Sequence, residues 1–434
     1  MTLSSSLNTG VSGLNANANK LSTISDNIAN ANTYGYKRAE SDFHSVVIHG
    51  STSTTYAAGG VRSTNMRLID ERGPLIGTSN PTDLAIDGRG FLAVTPLAAL
   101  GEQSSDYPVS LVSTGSFRPN EDGVLVTSTG EVLMGWPADA NGNVDESSRD
   151  SMSSLQPVVI NANQYVGNPT TEMSVGVNLP ATDTAFDALG EPIELTVEYF
   201  GNLGTAEQLV YTFTPTVPTT GNSNIWTMSI TDSVSGGAVI GEYTVEFDGT
   251  QDSGGNLLSV TTISGEDYDP LTGTIPLTVG GGDILLTIGE LGVPGGMTQL
   301  SDTYAPVAIS KNGSPVASVV SVEVDSNGNL FAIYDAGFTR KIYQIPVIDV
   351  PNPNGLIAHN NQTYQISPSS GPFYLWDAGD GPTGGLVGYS REESSVDLTG
   401  ELTQLIVTQR AYSSNAKVIQ TVDEMLQETT NIKR

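Results

Sequence analysis

Both ends of this chain repeat apolar residues in steps of three and four, and a soluble helix built that way cannot stand alone. Near the N-terminus Leu7, Val11, Leu14, Ala18, Leu21, Ser25 and Ile28 alternate four-three. That is the 3.5-residue period of a coiled-coil seam. Ser4 to Ser6 are candidate caps, and Asn32-Thr33-Tyr34-Gly35 halts the pattern. Near the C-terminus Leu398, Leu402, Leu405, Tyr412, Ala416, Ile419, Val422 and Leu426 repeat at the same steps. They follow Ser394-Ser-Val-Asp397, which resembles a capping box with Asp for Glu. A helix of about 35 residues spans roughly 50 Å, and with one apolar stripe it is marginal in water. Each terminal helix therefore needs a partner, either the other terminus or a neighbouring copy. Residues 1–32 and 395–434 are predicted to pair as a coiled coil. Leu7, Val11, Leu14, Leu21, Ile28, Leu398, Leu402, Leu405, Tyr412, Ile419, Val422 and Leu426 are the candidate interface between copies in a polymer.

Between the ends the period changes to two. Ile193–Tyr199, Trp226–Ile230, Tyr243–Phe247 and Val320–Val324 alternate apolar with polar. Gly- and Asn-rich turns such as Glu121-Asp-Gly123, Asn141-Gly-Asn143, Ser253-Gly-Gly255 and Asn327-Gly-Asn329 separate such runs. The expected architecture is a multi-domain α+β chain with a mainly β middle, sandwich- or barrel-like. One β domain takes residues 80–164 and 298–390, and an outer acidic β domain, 165–297, is inserted in it. Residues 33–79, rich in Ser, Thr and Gly, are read as an extended connector.

Charge is unevenly spread. The net charge is −30, yet residues 1–43 carry three basic and three acidic side chains, and residues 395–434 four and five. From Asp150 to Ser310 there is no Lys or Arg against 19 Asp and Glu. Such a surface does not bind nucleic acid through phosphates, and like charges repel in an interface, so this stretch should face bulk water. The near-neutral ends are free to pack on copies of themselves. No apolar run reaches the roughly 20 residues of a membrane span, so membrane insertion is not expected. The first segment lacks the basic and apolar regions of a cleaved signal. There is no cysteine, which excludes disulfides and thiolate chemistry.

Motifs for chemistry are weak. Gly88-Arg-Gly90-Phe-Leu-Ala93 has the spacing of a dinucleotide fingerprint, but Val-Thr-Pro follows where a helix must start, so a turn is expected. Asp139 to Asp145, with Asp150, spaces oxygens like a calcium loop, but Val144 stands where that loop needs Gly. A solvated hairpin tip is the better reading. His44, His49 and His359 offer no third ligand. No enzyme activity, cofactor or metal is expected. A secreted β-rich carbohydrate-binding protein is the rival from another functional class.

Asn27-Ile-Ala29-Asn30-Ala-Asn-Thr33-Tyr-Gly35-Tyr36-Lys37 resembles the N-terminal signature of the flagellar rod and hook axial proteins. Pro81 to Phe91, then Thr114 to Pro119 and Gly130 to Pro137, resemble that family's second and third blocks. Residues 396–427, with Gln409-Arg410-x-Tyr412-x-x-Asn415 at their centre, resemble its closing helix. Length and the Pro351–Leu356 return segment are similar to hook subunits; a distal rod-type protein with an insertion is the near alternative. The resemblance implies a structural subunit outside the cell. It would be exported by the flagellar type III apparatus, assemble under a hook cap onto the distal rod protein, and be followed by a hook–filament junction protein. The polymer would be a curved tube with helices in the channel wall, a flexible joint carrying torque. Phe43-His-Ser-Val-Val47 resembles an export-gate element, and a plain strand fits it as well.

Overall fold

The structure, a computed structural model, describes residues 3–47, 58–101, 107–139, 142–145, 149–161 and 165–432. They fall into two compact units. One comprises Met1–Asn161, Ser321–Ile333 and Thr339–Arg434; the other comprises Ala162–Val320 and Tyr334–Phe338.

In the first unit, α1 (Leu3–Ala29) and α2 (Leu398–Ile432) are the two terminal helices, and they pack antiparallel. Ser4 to Ser6 lie inside α1 rather than capping it. Asp397 caps α2, accepting the Thr399 N–H at 3.0 Å, so the cap sits three residues later than the Ser394 box would place it. Residues 33–79 are not an extended connector. Strand β1 (Ala39–Ser45) pairs antiparallel with β2 (Val61–Arg67), from Ala39↔Arg67 to Ser45↔Val61. The hairpin lies along the polar flank of α1, where Asn19 Nδ2 donates to Ser63 Oγ at 2.9 Å and Ser12 Oγ accepts the Val61 N–H at 3.2 Å. Backbone pairing and these hydroxyl and amide contacts hold it. Most of both strands is exposed, so no apolar alternation betrayed it. The β body of this unit is centred on Phe91–Pro96 and Glu131–Pro137, paired antiparallel. Phe91, Leu111, Trp136, Ile348, Tyr364 and Leu375 belong to one buried cluster there. Gly88–Gly90 joins strand Asp83–Asp87 to strand Phe91–Pro96, a turn between strands as expected.

The second unit is a β-sandwich. One sheet is an antiparallel meander of Ile193–Phe200, Ala206–Pro215, Ile225–Asp232, Ala238–Phe247 and Leu257–Ser264. The other gathers Thr274–Val279, Gly282–Thr287 and Glu172–Leu179. Alternation puts Tyr199, Tyr211, Phe213, Trp226, Met228 and Tyr243 inside, and Thr and Glu outside. The insertion does not end at 297. Glu172–Leu179 pairs with Thr298–Gln299 in parallel and with Ala305–Lys311 antiparallel, and the unit runs on to Val320. Ala305–Lys311 is largely exposed, which is why its membership left no apolar trace.

One carboxylate is buried in the sandwich. Asp232 accepts from the Tyr199 hydroxyl at 2.8 Å, the Gly280 N–H at 3.0 Å, the Ser235 hydroxyl at 2.9 Å and the Val234 N–H at 3.2 Å. Burial alone would raise its pKa; these donors outweigh that and hold it below the ordinary carboxylate value.

Candidate functional site

The signature residues converge where α1 ends and α2 begins. Asn27, buried on the last turn of α1, satisfies both backbone groups of Ala39. Its Nδ2 donates to the Ala39 carbonyl at 2.8 Å and its Oδ1 accepts the Ala39 N–H at 2.8 Å. The same amide reaches Glu401 Oε1 on α2 at 3.1 Å. The Tyr36 hydroxyl lies 3.0 Å from Asp26 Oδ2 and 3.2 Å from Asn27 Oδ1, and burial with the Asp26 charge raises its pKa. Asn30 bonds back to Asp26 and takes the Thr33 hydroxyl at 3.3 Å, tightening the exit from the helix. Ala29 closes α1. Gly35 turns the chain at φ +70°, where a Cβ would also press on Thr114, and its N–H donates to the Glu392 carbonyl at 2.9 Å.

Two ion pairs lock this corner. Lys37 Nζ sits 2.6 Å from Glu392 Oε1, with side chains only 1% and 2% exposed. It also donates to the Glu71 carbonyl at 2.8 Å. Burial lowers the Lys37 pKa despite the pull of Glu392. Glu392 further accepts the Gly73 N–H at 2.9 Å. Arg38 Nε donates to Glu401 Oε1 at 2.8 Å, and that bond raises the Arg38 pKa. The Arg38 N–H is taken by Ser395 Oγ at 2.9 Å. The signature thus works as a clasp joining the two ends of the chain. Glu392, Glu401 and Ser395, its C-terminal half, were not read from the sequence. Glu401 left a trace, as an acid within the apolar stripe between Leu398 and Leu405.

Along the helix pair the inner face is built from small residues. A Cβ at Gly10 would lie 2.9 Å from Ile419 Cγ1, and one at Gly13 would lie 2.9 Å from Asn415 Nδ2. Ala16, Ile24 and Asn27 continue this buried face on α1, and Glu401, Thr408 and Val422 continue it on α2. Ile419 and Val422, expected between subunits, are therefore taken up within one chain, and half-buried Leu405 lies on the same face. The leucine stripe of α1 is turned about one residue, roughly 100°, from this seam. Val11 is exposed and Leu7, Leu14, Leu21 and Ile28 are half-buried. Leu398, Leu402, Tyr412 and Leu426 are exposed on α2. Gln409 and Arg410 are also exposed, whereas Asn415 sits against Gly13. Phe43 is on β1 under the Lys20 ammonium, 5.6 Å from its ring centre, and Val47 is exposed just beyond the strand.

Chemistry finds little purchase. Asp139 accepts the Asn143 N–H at 2.8 Å, and Ala138 bridges Val144, as in a hairpin tip; residues 140, 141 and 146–148 of that loop, and His49, lie outside the described residues. Among the described residues no three His, Asp or Glu side chains gather as a metal site, and no helix is long and apolar enough to cross a membrane.

Comparison with known proteins gives one answer. Residues 7–37 match the family described as flagella basal body rod protein, and residues 387–432 the family described as flagellar basal body rod FlgEFG protein C-terminal. Over 442 aligned positions the chain is 34% identical to the flagellar hook protein FlgE of Brucella suis, covering 100% of both chains. Identity is 31% to that of Rhizobium meliloti, again over 100% of both, and 27% to that of Salmonella typhimurium, over 99% and 100%. The crystal structure of Helicobacter pylori flagellar hook protein FlgE2 aligns at TM-score 0.45 and 13% identity, over 72% of this chain and 98% of that one. With relatives similar from end to end and a signature block at each side of the clasp, the chain belongs to the flagellar hook protein family.

Proposed function

We propose that the chain is the structural subunit of a bacterial flagellar hook, a polymer of identical copies serving as a flexible joint between rod and filament. The observation that carries this reading is the end-to-end identity to hook proteins, 34% over the whole chain. The helix pair agrees with it, since the clasped subunit leaves apolar side chains of both helices open to solvent. Large apolar residues left out in this way mark a surface meant to be covered. Heterologous contacts that do not close give an open helical tube, and Val11, Leu14, Leu398 and Leu402 are placed to make them. The acidic sandwich carries one base, Lys311, paired with Glu198 at 3.0 Å, against a stretch from 150 to 310 that has none, and keeps its surface in bulk water in the polymer.

The same reading supplies partners: the distal rod protein below, a cap during growth, a junction protein above, and the type III export apparatus. Phe43 and Val47 remain the candidate gate-binding pair. Electron microscopy of cells lacking the gene tests the whole reading. Basal bodies should end at the rod, and the intact gene should restore curved hooks. A straight rigid polymer would instead indicate the rod-type alternative, and unchanged hooks would overturn the assignment.

A further inference from the structure

Helix α2 carries more apolar surface than its partner uses. Taking about 100° per residue, its apolar side chains fall on three sides. Glu401, Leu405, Thr408, Ile419 and Val422 face α1. Leu398, Leu402 and Ile406, 45–51% exposed, form one flank. Val407, Val418 and Met425, 57%, 48% and 52% exposed, form another, roughly 150° around the helix from the first. Thr399, Arg410, Lys417 and Glu424 fill the polar wedge between the flanks. A helix with one partner needs one stripe; a helix apolar on several sides is packed on several sides.

The second flank is itself a heptad row. Val407, Ala411, Ser414, Val418, Thr421 and Met425 step four-three-four-three-four, uncharged throughout, with large and small side chains interspersed. It runs 18 residues, roughly 27 Å. The first flank runs 8, roughly 12 Å. The leucine stripe of α1, from Leu7 to Ile28, is also uncharged and runs 21 residues, roughly 32 Å. That stripe is turned roughly 100° from the face that meets the subunit's own α2, so it does not fill the row from within. All three rows are uncharged, so length decides: the stripe matches the second flank and outruns the first.

We propose that the Val407–Val418–Met425 side of α2 seats a second copy of this chain through that copy's α1 stripe of Leu7, Val11, Leu14 and Leu21. This rests on the polymer reading above and names which surfaces meet. Each α2 is then held by its own α1 and by a neighbour's, and each α1 reaches out to the next α2, a head-to-tail contact that propagates.

The chain has no cysteine, so engineered thiols are the only ones present. Val418→Cys is combined in turn with Leu7→Cys, Leu14→Cys and Leu21→Cys, and isolated hooks are mildly oxidised. At least one pair should give a ladder of covalently linked copies on denaturing gels. The same α1 cysteines with Ile406→Cys should give none. A ladder only with Ile406→Cys, or a bridge only within single chains, overturns the assignment. For a pair that does not assemble, Val418→Asp should lower hook number at least tenfold while Lys417→Asp in the polar wedge leaves it unchanged; equal behaviour of the two also overturns it. If the cysteine-free parent chain itself makes no hooks, the functional reading fails rather than the pairing.

Discussion

Each unit of this protein buries carboxylates, and they neutralise them differently. At the clasp Glu392 and Glu401 are met by Lys37 and Arg38, with Asn27 and backbone N–H groups taking further lone pairs. In the sandwich Asp232 has four neutral donors and no cation. The stretch around it offers none, being free of Lys and Arg from 150 to 310. A buried ion pair is weak evidence of stability but strongly fixes which groups must meet. The clasp thus specifies the union of two chain ends that lie 355 residues apart at Lys37 and Glu392. The sandwich is specified by its aromatic core and needs its carboxylate only to tie one hairpin end to the opposite sheet. One region spends charge on joining; the other leaves charge on its surface.

Breaking the polymer contact should have the largest effect. Leu14→Asp places a carboxylate on the half-buried stripe proposed to meet a neighbouring copy, at several kcal/mol when buried unpaired. Hooks should vanish from electron micrographs while circular dichroism of the monomer is unchanged; normal hooks would remove Leu14 from the interface. Next is the clasp. Lys37→Met leaves Glu392 buried without its close cation and should destabilise the first unit by roughly 3–5 kcal/mol. Calorimetry should show that unit's transition falling while the sandwich's stays, and Lys37→Met with Glu392→Gln should recover only part of the loss, because Arg72, 3.8 Å from Glu392, then lacks its counter-ion. A smaller change is expected in the sandwich. Asp232→Asn turns one acceptor into a donor facing other donors and should lower only that unit's stability, by about 1–3 kcal/mol. The Asp232 pKa is depressed in the folded state. Its contribution is therefore present above the unfolded value of about 4 and is lost as pH falls through the folded value. Acid should narrow the gap between wild type and variant; a gap constant from neutral to acid pH would discount the carboxylate.

Periodicity made much of this legible. The terminal helices and the meander strands announced themselves because one face of each is apolar, and Tyr243–Phe247 or Trp226–Ile230 alternate cleanly. The hairpin of β1 and β2 did not, because backbone pairing and contacts such as Asn19–Ser63 hold it and leave most side chains wet. Ala305–Lys311 hid for the same reason. The seam misled in a different way. Ile419 and Val422 share their period with residues expected to meet other copies, yet the close approach of Gly10 to Ile419 and Gly13 to Asn415 makes small residues of α1 the inner face within one chain and sets the leucines on its flank. A stripe in a sequence shows that a surface is covered, not by which copy. The clasp was visible as a resemblance in Asn27 to Lys37, but its acidic partners stand 355 to 374 residues away, and no local pattern ties Glu392 to Lys37.

Salt should separate the two units by the smallest margin and in opposite senses. In the sandwich the acids on Glu194, Glu242, Glu246 and their neighbours repel one another, and the unit's one base, Lys311, offsets only Glu198. Raising ionic strength from physiological to 1 M shortens the screening length from about 8 Å to about 3 Å. Repulsion across the sheet face is then largely removed, and the sandwich's melting midpoint should rise by a few degrees. The clasp gains nothing from this. Lys37 and Glu392 are in direct contact and shielded from solvent ions, so their pair should be insensitive. The pair of partly exposed Arg38 with buried Glu401 should weaken slightly, leaving the first unit's midpoint level or a little lower. Scanning calorimetry across sodium chloride concentrations resolves the two transitions. A sandwich midpoint that falls with salt would mean that its surface acids are already paired, and that charge is not what keeps this unit in open water.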